Sequence, residues 1–440
     1  MKKRYLTGIV MLTAAMLGAC SGQKTTTETS KVDTTEVNTE SEKASTETPG
    51  GVIEIEFWHA LENQYEATLN KVVDEFNKTH TDISVKPVYV GAYAALNEAI
   101  VASNAAGTGL PGVAMANIPY VAGYGSSNLC EDLGPYIERD GFEIDDFGEG
   151  LVKAAKYGDT QVALPFLVST EVVFYNKDMA SELGVEIPEK WDDMPAFLEK
   201  ASVPGERYGM AIPGWNTWYY EPFFINNGVK MVTDENTTDF ASEKGIQVVN
   251  TMKDWCDAGY TYLAVGEDAA SEMRQKFLNG ETLSVIYTSS LYNTMVETCP
   301  FEVGMTWLPS GDTKIQELGG NVLFIPAKNS QEVKDASWEF LSYLMGKDVN
   351  MIWASESGYL PTRKSVQDTE EGKEFLESKP AFQVIFDNLD LIDPGIQRSD
   401  WSQITAILKN YVEEIIEEDL DVEDSLKEME AEINEILSDS

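Results

Sequence analysis

Residues 52–93 read VIEIEFWHALENQYEATLNKVVDEFNKTHTDISVKPVYVGAY. Residues 52–57 alternate apolar and acidic side chains, the period of a half-buried strand. Tyr65, Leu69, Val72, Val73 and Phe76 then recur at helical spacing, and residues 83–90 form a second strand-like run. Gly91, Ala92 and Tyr93 turn the chain into an Ala-rich helix. Strand, helix, strand, helix is a βαβ pattern, which predicts an α/β fold with a parallel sheet.

Further along, residues 160–176 are dominated by β-formers, among them Val172, Val173, Phe174 and Tyr175. Residues 318–325 form another strand, entered through Gly319 and Gly320. Both are expected to cross between lobes. Residues 336–345 and 401–416 repeat apolar side chains at helical spacing. The acidic tail, 413–440, retains Ile415, Ile416, Leu420, Leu426, Ile433 and Leu437, and is expected to form surface helices.

Hydrophobic residues make up 43% of the 440-residue chain, enough for a sizeable core, so disorder of the whole chain is excluded. The 74 Asp and Glu against 32 Lys and Arg leave a net charge of -42, which repels a phosphate backbone and argues against a nucleic-acid partner. Two histidines, His59 and His80, and four cysteines supply little material for a metal site, and no cofactor is expected. His59, beside Trp58 at a strand end, reads as structural, and His80 as a surface residue at a helix end. Cys130, Cys256 and Cys299 allow at most one disulfide, and spacing does not choose the pair.

Lys2, Lys3 and Arg4 precede an apolar run, 5–16, that is too short to span a bilayer. The run ends in Leu17-Gly18-Ala19-Cys20, which resembles the lipobox of bacterial lipoproteins, in which the Cys is acylated and becomes the new N-terminus. Residues 1–20 are therefore expected to be a lipoprotein signal peptide, with Cys20 carrying palmitate-type chains that tether the protein without spanning. Residues 21–51 hold nine Thr, four Ser and five Glu and no aromatic side chain, a composition that does not fold. As a random coil this tether would hold the folded body about 30 Å from the membrane. Its Ser21-x-x-Lys24 match offers no preorganised nucleophile.

Phe57-Trp58-His59-Ala60-Leu61, Phe174-Tyr175-Asn176-Lys177-Asp178, Ser337-Trp338-Glu339-Phe340-Leu341 and Gly358-Tyr359-Leu360-Pro361-Thr362 occur in one order along the chain. That set resembles the extracellular solute-binding proteins of ABC importers (family 1), over roughly residues 52–440. Within the family the chain looks most similar to the glycerol-3-phosphate-binding branch. The resemblance implies a two-lobed, periplasmic-binding-protein-like α/β fold with hinge strands and a ligand cleft between the lobes. Residues 52–165 and 324–360 are expected in lobe one, and 166–323 and 361–440 in lobe two. The implied partners are a small solute and the membrane permease subunits of an importer. The protein would act as a monomer, anchored on the outer face of the cytoplasmic membrane.

The resemblance also implies a ligand set. Tyr93, Ser169, Ser289, Gly320, Tyr359 and Arg398 match positions that hold the phosphate end in that branch. Hydroxyls, a glycine N–H and one guanidinium fork are what a phosphate dianion in a dry cleft requires. Trp215 and Trp218 resemble the family's aromatic loop and would lie against a carbon skeleton, with Trp58 doing the same from the other lobe. The branch uses a glutamate for the glycerol hydroxyls, whereas this chain has Asn117 or Ile118 there, which leaves a glycerophosphodiester or a sugar phosphate open. The other transport reading is a neutral mono- or oligosaccharide, and Arg398 discriminates, since a neutral ligand tolerates its loss better. An enzyme is disfavoured: there is no Gly-x-Ser-x-Gly, no P-loop and no His-Glu-x-x-His. A glycoside hydrolase is the remote alternative, because paired carboxylates cannot be located among so many acids.

Overall fold

The computed structural model describes residues 51–398 and 400–438. The signal peptide, Cys20 and the tether up to Gly50 lie outside the described residues. The opening βαβ unit forms as its periodicity predicts: β1 (Ile53–His59), helix α1 (Asn63–Thr79), β2 (Ile83–Tyr89), helix α2 (Tyr93–Ala106) and β3 (Val113–Asn117). In α1 the side chains of Leu69, Val72, Val73 and Phe76 are buried on one face. β1 runs parallel to both β2 and β3, in register from Ile53 opposite Ile83 to His59 opposite Tyr89.

A short hairpin, β4 (Lys156–Tyr157) with β5 (Thr160–Gln161), leads into β6, a 13-residue strand from Leu164 to Asn176. The remaining strands are β7 (Tyr208–Pro213), β8 (Thr261–Ala264), β9 (Thr282–Thr288), β10 (Val303–Thr306), β11 (Gln316–Phe324) and β12 (Ile392–Asp393). The main sheet runs β2-β1-β3-β11-β6-β9-β7-β8, with β10 on β6 and β12 on β11. Parallel triplets thus flank an antiparallel pair, β11 and β6.

β6 crosses from one set to the other. Its first half, Leu164–Thr170, pairs with β11, and its second half, from Glu171, pairs with β9. β11 joins the first set through Asn321–Phe324 on β3, and starts beside β12. The β6–β11 ladder breaks register between Gly320 and Asn321, where Gly320 takes φ +107° and Leu167 takes φ +50°. A Cβ on Gly320 would lie 2.4 Å from the Leu167 carbonyl oxygen, so only glycine fits.

Two apolar cores flank the crossing. The larger contains Phe57, Phe76, Met115, Phe324 and Phe340 and runs through β6 into Val172 and Phe174. The smaller contains Leu198, Met210, Phe224, Phe240 and Met252. Within the stretch after residue 360, Val366, Phe375, Phe382, Ile385 and Leu389 pack in the larger core, whereas Ile404 to Leu437 pack in the smaller. The tail forms two helices, Trp401–Glu417 and Val422–Ser438. These are more than surface helices: Leu426, Met429, Ile433 and Leu437 are fully buried, because their i, i+3, i+4 spacing puts them on one face against the core. Leu420, in the connection, is exposed.

Candidate ligand-binding cleft

A cavity of about 680 Å³ is lined from both sets of strands. One wall holds Tyr93 at the start of α2 and Asn117 at the end of β3, with Tyr120 close behind. The floor is β6 and β11, through Ser169, Glu317, Gly319 and Gly320. Tyr359 joins the first wall beside Tyr65, and the far wall holds Asn216, Trp218 and Glu221 after β7, with Thr288 at the end of β9 and Ser290 just past it. The segment 394–402, between β12 and the helix Trp401–Glu417, contributes Gln397, Arg398 and Trp401.

Seven of the ten positions matched from sequence meet here: Tyr93, Asn117, Ser169, Trp218, Gly320, Tyr359 and Arg398. Ser169 stands opposite Gly319 in the ladder. A Cβ on Gly319 would lie 2.8 Å from Trp218 Cζ2 and 3.0 Å from Ser169 Oγ, so the missing side chain lets the indole lie on the strand. Tyr359 packs against Tyr65, ring centroids 5.7 Å apart, and its phenol is pushed up by burial. Burial likewise raises Tyr93.

Three positions lie elsewhere. The Ser289 hydroxyl is fully buried and accepts the Thr170 N–H at 3.1 Å; its neighbour Ser290 lines the cavity instead. The turn Ser289–Leu291 rotates by about a third of a turn per residue, so adjacent serines face different ways. Trp215 stands edge-on to Tyr219 and Tyr287, at 5.8 and 6.0 Å, and packs in the core behind the wall. Trp58 donates its indole N–H to Glu56 at 2.8 Å, on β1. His59 is buried, accepts the Leu61 N–H through Nδ1, and is lowered to about 4 by burial, so it stays neutral as a structural group. Cys130, Cys256 and Cys299 are all free thiols.

Arg398 lines the cavity with its charge already matched. Its Nε and Nη2 donate to the two Asp400 oxygens at 2.9 and 2.7 Å, and Nη1 donates to Asn236 Oδ1 at 2.8 Å. Among the described residues lining the cavity, Arg398 is the one Lys or Arg.

Sequence reasoning missed the acids. Glu221 and Glu317 line the cavity at 3% and 2% exposure, with Glu171 fully buried behind them. Glu171 Oε2 accepts the Glu317 backbone N–H at 3.1 Å and the Thr170 hydroxyl at 3.2 Å. Burial pushes Glu221 up, while donors from Glu317, Thr217 and Trp401 pull it back. Burial, then the charges of Glu221 and Glu171, hold Glu317 well above the usual carboxylate range. Burial thus favours a proton on this pair, Glu317 above all, over two full negative charges side by side. Glu317 Oε2 and Trp218 Nε1 have no hydrogen-bond partner. A carboxyl pair beside two indole faces can accept hydroxyl protons at one end of a solute and cover its carbon face at the other.

The family model described as bacterial extracellular solute-binding protein matches residues 71–383. The sn-glycerol-3-phosphate-binding periplasmic protein UgpB of Pectobacterium atrosepticum is 25% identical over 352 residues, covering 75% of this chain and 78% of the relative. UgpB of Escherichia coli is 24% identical over 392 residues, covering 83% and 88%. Among solved structures, the sugar-binding protein MalE of Xanthomonas citri superposes with a TM-score of 0.78 at 20% identity, covering 88% of this chain and 98% of that one. UgpB of Mycobacterium tuberculosis, in complex with glycerophosphocholine, superposes at 0.74 with 21% identity and the same coverage. The fold is thus the two-lobed one of periplasmic binding proteins, and the chain belongs to the bacterial extracellular solute-binding proteins.

Proposed function

We propose that the protein is the capture component of an ABC importer for a small hydroxyl-rich solute of the sugar class. The solute is held by hydroxyl-to-carboxylate hydrogen bonds and by stacking on Trp218 and Trp401. One observation carries the choice: the Arg398 fork is matched by Asp400 while Glu221 and Glu317 line the cavity. A cleft with this balance repels a dianion and accepts hydroxyl donors. The lobes move about β6 and β11 and close on the solute, which is passed to permease subunits. Binding and release need no reaction, so the protein is read as a monomeric carrier and not an enzyme. Cys20 and the 21–51 tether anchor the folded body on the outer face of the cytoplasmic membrane.

A second reading keeps glycerol 3-phosphate or a glycerophosphodiester. It is favoured by Arg398 sharing one cavity with Tyr93, Ser169, Gly320 and Tyr359, and by the printed names of the UgpB relatives. It requires Asp400 to yield the fork or to orient it.

Thermal unfolding with neutral mono- and oligosaccharides, glycerol, glycerol 3-phosphate and glycerophosphocholine separates the two. A solute at a hundred times its dissociation constant adds about 2.7 kcal/mol. Stabilisation by a neutral sugar is expected. Stabilisation by the phosphates alone would overturn the sugar reading and leave the importer reading in place.

A further inference from the structure

We propose that the wall formed by Glu221, Glu317, Trp218 and Trp401 is a subsite for an ammonium group carried by the hydroxyl-rich solute. The group is either a primary amine on a sugar or a quaternary ammonium on a glycerol ester. This rests on the binding-protein reading above and narrows its ligand.

The charge balance of the wall leads to it. Arg398 is matched by Asp400. Glu221, 3% exposed, accepts the Thr217 hydroxyl, and no cation stands among the groups that act on it. The ionisable groups acting on Glu317 are Glu221, Glu171 and, from the paired strand β12, Asp393, and all are acids with no Lys or Arg among them. Buried negative charge without a cation is costly, and a site that had only to accept hydroxyls could use Asn or Gln. Glu317 also has one carboxyl oxygen, Oε2, with no partner, although the residue is 2% exposed. Among the described residues no three His, Cys, Asp or Glu side chains are arranged to hold a metal ion.

The aromatic side chains are the second argument. Trp218 stands edge-on to Tyr219 at 5.0 Å, and both line the cavity together with Trp401. Indole and phenol faces attract a cation as well as C–H groups, and the effect grows in a desolvated site. The wall joins those faces to a carboxyl pair, the two features an alkylammonium needs.

One consequence is specific. An ammonium beside Glu317 favours its ionised form, so capture expels the proton that Glu317 holds in the empty cleft. A neutral solute leaves the proton where it is.

The test is calorimetric titration of the full chain at pH 6, where a sugar amine is charged, in two buffers of different ionisation enthalpy. One pair of probes is glucosamine and its disaccharide against glucose and its disaccharide. The other is glycerophosphocholine against glycerol 3-phosphate. In one pair the ammonium-bearing member should bind at least tenfold tighter, with release of up to one proton per solute. The pair that responds names the source of the ammonium. Glu317→Gln should remove the proton release and most of the preference, and Glu221→Gln should remove the preference; a melting curve first establishes that each variant folds. Neutral members binding as tightly as their charged counterparts, without proton release, would overturn the ammonium subsite and leave the sugar reading standing. Binding of none of the probes would overturn the subsite and count against the sugar reading as well.

Discussion

Arg398 and Asp400, two residues apart, meet fork to fork, with both guanidinium contacts under 3 Å. Such a bidentate pair orients the arginine and cancels its charge at the cavity edge. Asp400→Asn removes the charge and keeps the shape. The variant should bind glycerol 3-phosphate about tenfold to a hundredfold tighter, the value of one charge-assisted hydrogen bond set, with neutral sugar binding within threefold. Titration of both solutes checks it. A weaker phosphate affinity in Asp400→Asn would mean that Asp400 aims the fork at an anion, and the phosphoester reading would then stand.

Ser289 and Ser290 separate stability from binding. The Ser289 hydroxyl satisfies the buried Thr170 N–H on the crossing strand. Ser289→Ala leaves that donor unpaired and should lower stability by about 1–3 kcal/mol. Ser290, whose hydroxyl meets Thr288 at 3.0 Å in the cavity wall, has no such duty. Ser290→Ala should keep its melting temperature and lose several-fold in solute affinity. The reverse pattern would put Ser289 in the site.

The adjacent glycines of β11 differ in the same way. Gly319→Ala places a methyl against the Trp218 indole and the Ser169 hydroxyl, both side chains that can shift. It should weaken solute binding about tenfold with little loss of stability. Gly320→Ala meets backbone, the Leu167 carbonyl, at a φ that L side chains rarely adopt. It should cost on the order of 2 kcal/mol or more in urea unfolding. Equal effects from the two substitutions would argue against the irregularity at Gly320 as a fixed feature of the crossing.

These contrasts show where local sequence was informative. The βαβ start was legible because Leu69, Val72, Val73 and Phe76 declare a helix face without reference to the rest of the chain. Seven of the ten matched positions line one cavity, and the motifs that carry them are contiguous in the chain. Ser289 against Ser290, and Trp215 against Trp218, were not legible, since a turn decides which neighbour faces the cavity and sequence spacing does not resolve one residue. The three glutamates escaped notice among 74 acids. A signal was present: Glu171 interrupts the β-former run Leu167 to Tyr175, and Glu317 precedes the glycines of another strand. An acid inside an otherwise apolar strand is buried with it, but only the β6–β11 pairing brings Glu171 and Glu317 together, and Glu221 joins them from the helix Glu221–Asn226.

That convergence makes stability depend on pH in a defined direction. The folded Glu317 carboxyl titrates above its ordinary value of 4.5, for burial and the two neighbouring acids oppose its charge. In the unfolded chain it ionises near the ordinary value, so above about pH 4.5 the unfolded state holds fewer protons than the folded one. Stability therefore falls as pH rises from there towards the folded value, by at most about 1.4 kcal/mol per pH unit per proton. Glu171, also raised by burial, adds a slope of the same sign. Glu317→Gln is neutral in both states and should remove one proton's share of the slope, gaining on the wild type as pH rises. Urea unfolding of the ligand-free protein between pH 5 and 8 measures both curves. If they run parallel, Glu317 is ionised in the folded protein, and the proton that the carboxyl pair is taken to share is not there.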